Sequence, residues 1–284
     1  MTAPRLSVEI LSANSIELVA RVRHRDAACL PTDGKLVCAR RDDRIVMVAA
    51  VGRPAGRVID VLLPERSERL DEEEGAAVLQ AIDDLIKQNS EIYLAQVLLG
   101  AHSRSWNPLL LAFDFLPITT VELFAAVPDV ADIDSALVFS TVSQCSAFAD
   151  LLRATWQGSL DCRDLKDERT SDDVLTEYLA RCGRDATHWY QIEFQGRAIG
   201  CAILAAPTDP RVIHPLETLY WGILPEYRGR GFGDETLQFL RGVAAREGRM
   251  LAAAVDQKNL PAKSVYLRNG FQIVDSQRLL VKYL

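Results

Sequence analysis

The chain predicts an α/β fold, a mixed and mostly antiparallel sheet flanked by helices, in two tandem copies. Three observations carry that expectation. Short β-rich runs alternate with runs of helical period in the C-terminal half, the pattern of strands and helices sharing one sheet. The strand Leu216–Leu224 passes through Pro225 and a glycine-rich turn into a helix over Asp234–Arg246. The same order recurs in the N-terminal half, where Val58-Ile-Asp-Val-Leu-Leu-Pro64-Glu65 stands as Leu219-Tyr-Trp-Gly-Ile-Leu-Pro225-Glu226 stands later.

In the first half, Leu36–Arg41 and Arg44–Val51 form a hairpin about Asp42-Asp43, and a strand follows from Val58. The acidic start Asp71–Glu74 opens a helix with Val78, Leu79, Ile82, Leu85 and Ile86 on one face. Strand Ile92–Leu99, helix Ser105–Ala112 and the segment Phe113-Asp-Phe115 complete the copy. Pro128–Asp134 is acidic and contains proline, so the expected division is a domain at 1–127, a linker at 128–135 and a domain at 136–284. The second half runs from strand Ala136–Val142 through helices Ser146–Trp156 and Asp172–Cys182 to a hairpin, Trp189–Phe194 with Ala198–Ala205, about Gln195-Gly196. Beyond the helix Asp234–Arg246, with Leu237, Leu240 and Val243/Ala244 on its inner face, come strand Met250–Val255 and helix Pro261–Arg268. Two strands, Phe271–Asp275 and Arg278–Tyr283, with a turn near Asp275–Gln277, are expected to finish the sheet.

Composition narrows the function. With 284 residues, 49% hydrophobic and 25% charged, the chain has room for two ordinary globular domains. The six cysteines, at 29, 38, 145, 162, 182 and 201, lack Cys-x-x-Cys spacing, so neither a zinc site nor a disulfide framework is expected. His188 and His214 have no ligand partner at i+3 or i+4, and no metal is expected. A formal net charge of −7 argues against nucleic-acid binding, which needs clustered Lys and Arg, and mildly favours a cationic substrate. The first residues lack an apolar signal core, and no run approaches the ~18 apolar residues of a membrane span. A cytoplasmic protein without membrane partners is expected.

The run Trp221-Gly-Ile-Leu-Pro-Glu-Tyr-Arg228-Gly229-Arg230-Gly231-Phe232-Gly233 carries the chemistry. Glycines at 229, 231 and 233 strip side chains from a strand-to-helix turn, so its N–H groups can lie against a ligand. The helix behind adds the positive end of its dipole, and Arg228 and Arg230 add full charge, so a phosphate or pyrophosphate suits the turn. Taken alone, the run is also compatible with a solvated turn bearing surface arginines. It lacks Gly-x-x-x-x-Gly-Lys-Ser/Thr, and its glycine spacing is not the dinucleotide fingerprint.

Downstream the chain reads Asp256-Gln-Lys-Asn259-Leu-Pro-Ala262-Lys-Ser-Val-Tyr266-Leu-Arg-Asn-Gly270-Phe271. Arg228-x-x-Gly231-x-Gly233 followed by Asn259-x-x-Ala262-x-x-x-Tyr266-x-x-x-Gly270-Phe271 closely resembles the GNAT superfamily of acyl-CoA-dependent N-acyltransferases. The resemblance implies that the backbone of Arg228, Gly229, Arg230, Gly231, Phe232 and Gly233 holds the pyrophosphate of acetyl-CoA. It makes Ile223 and Leu224 the end of a splayed strand whose N–H faces the thioester oxygen, an arrangement that stabilises developing oxyanion charge. Tyr266 takes the family's general-acid position, beside the plain alternative of a packing tyrosine. Asn259 either hydrogen-bonds the pantetheine or caps its helix. Glu217 lies at the separation from Arg228 seen for the glutamate base of histone-acetyltransferase members, or is an ordinary edge residue. Regular alternation would put Glu217, Leu219, Trp221 and Ile223 on one face.

In the first copy the turn after Pro64 has no glycine and carries acids, and no tyrosine matches Tyr266; Trp106 and Leu109–Leu111 occupy that helix instead. It reads as a degenerate GNAT-like scaffold, with an unrelated α/β domain as the alternative. The expected activity is acetyl transfer from acetyl-CoA to the amine of a small-molecule or peptide acceptor, by direct attack in a ternary complex. No cysteine lies on the motifs to form an acyl-enzyme. The acceptor would be lined by Ser146–Cys182 and the turn near Asp275–Gln277. A non-catalytic acyl-CoA-binding or sensing module, and a nucleotide-binding regulator, are the rival readings.

Overall fold

The computed structural model describes residues 5–12, 34–42, 44–52, 55–64, 70–128, 135–142, 146–165, 169–182, 188–206 and 215–284. Two compact units form: Met1–Thr119 with Gln277–Leu284, and Thr120–Ser276. This division differs from the segments 1–127 and 136–284, because each unit takes in one stretch of strand from the far side of the sequence boundary. The linker expected at 128–135 falls largely outside the described residues, as do His214 and most of the turn after Pro64.

In the first unit the strands are β1 (Leu6–Ser12), β2 (Lys35–Arg41), β3 (Arg44–Val51), β4 (Val58–Leu62) and β5 (Leu94–Leu99). The end of β12 (Gln272–Tyr283) lies antiparallel to β5, with Arg278 opposite Leu99 and Tyr283 opposite Leu94. Helix α1 (Glu72–Lys87) starts where the Asp71 carboxylate accepts the Glu74 N–H at 3.0 Å, satisfying one orphan donor of the first turn. Its inner face buries Val78, Leu79, Ile82 and Ile86, each worth about 1.5–3 kcal/mol relative to exposure. The β4–β5 pairing is parallel and covers only Val58–Asp60 against Leu94–Gln96. Trp106, fully buried ahead of the short α2 (Asn107–Ala112), donates its indole N–H to the Pro64 carbonyl at 3.2 Å and packs the end of β4.

The second unit orders its strands β6-β11-β10-β9-β8-β7, from β6 (Leu116–Ala126), β7 (Leu137–Thr141), β8 (Trp189–Phe194), β9 (Arg197–Ala205), β10 (Leu216–Ile223) and β11 (Leu251–Asp256). Val121–Ala126 of β6 pairs antiparallel with β11. The β8–β9 turn takes positive φ at both Gln195 (51°) and Gly196 (73°), the geometry whose twist suits a two-residue hairpin. Helix α5 (Phe232–Arg246) and α6 (Leu260–Arg268) cover one face, with Leu237, Leu240, Val243 and Ala244 in the core. Helices α3 (Ser146–Trp156) and α4 (Ser171–Arg181) cover the other, where Phe148 and Leu152 meet Trp189, Cys201 and Ile203.

Three expectations need correction. β1 and β6 are strands that the sequence reading did not include. The turn near Asp275–Gln277 is absent: Gln272–Tyr283 is one uninterrupted strand. Asp275 and Ser276 resemble turn residues, but the strand is committed further along, where Leu279–Val281 are buried opposite β5. That removes the turn from any acceptor lining.

Candidate active site

The site begins where the sheet opens. β10 and β11 pair in parallel only through Leu216–Thr218 against Leu251–Ala253. Past that point β10 continues to Ile223 on β9, and β11 continues to Asp256 on β6. A register shift between Thr218 and Tyr220 in the β9 ladder marks a bulge at the fork, a feature that bends a strand and increases its twist. The outcome is a V-shaped gap between the carboxyl ends of two parallel strands, the place where open α/β sheets receive ligands.

Backbone alternation decides which groups face the gap. The Leu224 N–H donates to the Ile199 carbonyl at 2.8 Å, and its own carbonyl accepts from Tyr227 N at 2.9 Å. Leu224 therefore offers the gap neither group. Amides of successive strand residues point to opposite edges, so the Ile223 N–H faces the gap.

An arginine holds the glycine turn in place. Arg228 donates Nε–H to the Ile223 carbonyl at 2.9 Å and Nη2–H to the Thr155 carbonyl at 2.8 Å. Thr155 lies in the last turn of α3, so the guanidinium also sits where a helix dipole favours a cation. Arg230 is exposed; it donates to the Glu226 carbonyl at 2.9 Å and stacks 5.1 Å from the Tyr227 ring. Gly229 and Gly231 have φ of 75° and 87°, and a Cβ at either would meet nothing within 4 Å. Backbone conformation, not crowding, requires glycine there, and the turn's surface is open. Gly231 is the N-cap of α5 and has no side-chain cap; the Asp234 N–H turns back to the Gly231 carbonyl at 2.9 Å, which leaves the Phe232 and Gly233 N–H groups for an anion. Phe232 buries its ring against Phe194 at 4.8 Å, and Gly233 packs on Trp221, where a Cβ would lie 3.2 Å from the indole. Phe232 can meet a ligand only through its backbone.

Tyr266 is 3% exposed, stacked on Phe124 at 5.4 Å and edge-on to Phe271 at 4.9 Å. Its hydroxyl accepts the Trp221 indole N–H at 2.7 Å. Burial pushes the phenol well above its usual range; the Trp221 hydrogen bond offsets part of that and the charge of Asp161 adds to it. The phenol keeps its proton at neutral pH. Asn259 caps α6, its Oδ1 accepting the Ala262 N–H at 3.3 Å, and its side chain also bonds Asp161.

On the opposite face the Tyr220 hydroxyl meets Thr155 Oγ1 at 2.8 Å, and a Cβ on Gly222 would come within 2.4 Å of that hydroxyl. Burial raises Tyr220 and Tyr178 as well, and pushes the Cys201 thiol up to about 12. The loop after α3 closes the end of β11. Asp161 Oδ1 accepts the Asp256 N–H at 3.0 Å, and Asp256 Oδ2 accepts the Cys162 N–H at 3.0 Å. Lys258 Nζ meets Asp164 at 2.6 Å. Cys162 holds φ at 44°, a conformation rare outside glycine, and burial pushes its thiol up to about 12, which leaves it unreactive.

Glu217 is not part of this arrangement. It lies on the paired stretch of β10, half exposed, 4.0 Å from Arg181 of α4. From 217 to 223 at about 3.3 Å per residue is roughly 20 Å along the strand. The bulge breaks the alternation, so Leu219 and Tyr220 join the α3–α4 side while Trp221 and Ile223 join the α5–α6 side. The expected common face for Glu217, Trp221 and Ile223 does not form.

Asp161, Tyr220 and Thr155 were not anticipated. Asp161 lies in an aperiodic turn with no pattern to mark it. Asp256 could have been found, as a carboxylate at the carboxyl end of a parallel strand.

Residues 147–271 match the family model described as "Acetyltransferase (GNAT) family". This segment is a GNAT-family domain. The GNAT match falls inside the second unit and spans the fork, the glycine turn and α6. The whole chain also resembles solved structures of GNAT proteins. A GCN5-related N-acetyltransferase from Sphaerobacter thermophilus is 17% identical with TM-score 0.68, covering 99% of this chain and 97% of its own. A tandem GNAT protein from the clavulanic acid biosynthesis pathway is 13% identical with TM-score 0.63, covering 98% of each chain. A GNAT-family acetyltransferase from Colwellia psychrerythraea is 14% identical with TM-score 0.57, covering 98% of this chain and 100% of its own. At these identities the likeness is one of fold, and it extends over both units. No curated protein matches the chain by sequence. Among the described residues no helix is long and apolar enough to cross a membrane.

Proposed function

We propose that the second unit transfers an acetyl group from acetyl-CoA to the amine of a small-molecule or peptide acceptor, by direct attack with both substrates bound. One observation carries the reading: the gap between β10 and β11 presents the Ile223 N–H and leads to the open glycine turn and uncapped start of α5. A pantetheine-length ligand with a pyrophosphate tail fits that sequence of groups. Acetyl-CoA would supply the activated thioester carbonyl.

The chain's own residues then divide the work. The Ile223 N–H polarises the carbonyl, and the backbone of Gly229–Gly233 takes the pyrophosphate. Tyr266, protonated and with its oxygen fixed by Trp221, gives its proton to the departing thiolate. Arg228 holds the turn to β10 and α3. The first unit, with Trp106 buried against the end of β4, is proposed to be a GNAT-like copy without a cofactor site.

Calorimetry with acetyl-CoA and with ATP, followed by a free-thiol assay against amines and peptide N-termini, tests this. Acetyl-CoA binding with amine-dependent thiol release is expected. Binding without release from any amine would make the protein an acyl-CoA sensor, and tighter binding of ATP would overturn the cofactor assignment.

A further inference from the structure

We infer that Asp161 is the general base of the second unit, taking a proton from the ammonium of the acceptor. The inference rests on the acetyl-transfer reading above. A sheet separates the two helical layers of this unit, with Tyr266 in the α5–α6 layer and Tyr220 hydrogen-bonded to α3 in the other. The Gln257 N–H donates to the Thr120 carbonyl of β6 at 2.9 Å. Successive strand amides face opposite edges, so the Asp256 N–H faces the gap, where Asp161 Oδ1 accepts it at 3.0 Å. Asp161 thus lies on the β11 edge of the gap whose β10 edge exposes the Ile223 N–H, and its charge raises the phenols of both layers.

Its carboxylate is positioned: Oδ1 is held by the Asp256 N–H and the side chain also bonds Asn259, so the carboxyl is largely desolvated although the residue as a whole reaches solvent. Among the described residues, the charged and titratable groups at this end of the fork are Asp256 and Lys258 from the β11 end, Tyr220 from β10, Tyr266 from α6, and Cys162 and Asp164 on its own loop. Burial of the carboxyl and the charge of Asp256 lift it above the usual aspartate range against its hydrogen bonds. A base gains efficiency as its pKa moves toward the working pH.

The protons balance. Asp161 takes one from R–NH3+, and the freed lone pair forms the C–N bond as the C–S bond breaks. Tyr266 protonates the thiolate and regains a proton from the nitrogen, and Asp161 returns its own to water. Ammonium and acetyl-CoA become amide, free thiol and one released proton.

The test uses the full-length protein and spermidine, glucosamine and a lysine-containing peptide as probe amines. Asp161→Asn retains an acceptor for the Asp256 N–H and should fold. Its kcat is expected to fall 10²–10⁴-fold, with loss of the acid-side limb of the kcat/KM profile. Acetyl-CoA affinity by calorimetry should change by no more than about twofold, and Asp161→Glu should keep a limb that is shifted in pH from wild type. A variant that keeps both rate and limb, or loses rate only through weaker acetyl-CoA binding, overturns the base while leaving acetyl transfer intact. Should Asp161→Asn fail to fold, the pH profile of Asp161→Glu decides: a limb unmoved from wild type overturns the assignment. Wild-type protein that acetylates none of the probes removes both readings.

Discussion

Replacing Tyr266 with phenylalanine deletes one oxygen and preserves the ring packed between Phe124 and Phe271. The structural cost follows from what that oxygen does. It accepts the Trp221 N–H at 2.7 Å, so the variant leaves a buried donor unpaired, a loss of about 1–3 kcal/mol. For a unit of this size that lowers Tm by roughly 2–10 °C. The catalytic effect should be larger and separable. Without a proton for the thiolate, turnover should drop 10²–10⁴-fold while acetyl-CoA affinity by calorimetry stays within about threefold. Trp221→Phe is the companion variant, because it breaks the same hydrogen bond but keeps the phenol. Thiol release, read beside thermal melts, compares the two. If Tyr266→Phe turns over at a rate close to that of Trp221→Phe, the hydroxyl is a packing partner and the acid assignment fails.

Stability of the second unit should decline on the alkaline side. Tyr178, Tyr220 and Tyr266 are all raised above 10.0 by burial, so their contribution is complete below pH 10 and is lost above it, as the unfolded chain sheds protons that the folded chain keeps. A urea midpoint flat from pH 8 to pH 11 would contradict this. Arg228→Met should weaken acetyl-CoA binding about tenfold by freeing the turn, equivalent to about 1.4 kcal/mol, and calorimetry reads it; unchanged affinity would mean that the turn holds itself. In the first unit Lys282 of β12 pairs with Asp83 of α1 at 2.5 Å, both buried, with Lys87 also on Asp83 at 2.6 Å. Lys282→Met should cost about 3 kcal/mol, near the low end for breaking a buried pair, and adding Asp83→Leu should recover much of it; chemical denaturation measures both. Deleting 277–284 should expose β5 and speed proteolysis in the first unit, and mass mapping of cleavage sites would show whether cuts fall there.

Local pattern made much of this legible. The hairpin about Gln195-Gly196, the inner faces of α1 and α5 and the glycine turn at 229–233 were readable because each depends on residues within a few positions of one another. The catalytic geometry was only half readable. Tyr266 and Gly231 belong to spaced motifs, but Glu217 was placed by assuming regular alternation, and a bulge at the fork moved it off the face of Trp221 and Ile223. Arg228 read as a charge for phosphate, and local pattern gave no sign that its guanidinium also ties the turn to the carbonyls of Ile223 and Thr155.

The sequence by itself determined the α/β elements, the second-half motifs and the lack of a glycine turn after Pro64, since period, turn chemistry and spacing are properties of short stretches. Tertiary structure alone decided which strands complete which unit. Val121–Ala126 serves the second unit and Arg278–Tyr283 the first, and both runs are apolar enough to suit either. It also decided that Asp161, remote in sequence from Asp256 and Asn259, stands with them at the fork. Pairing and proximity of that kind depend on contacts across long separations, and no local pattern encodes them.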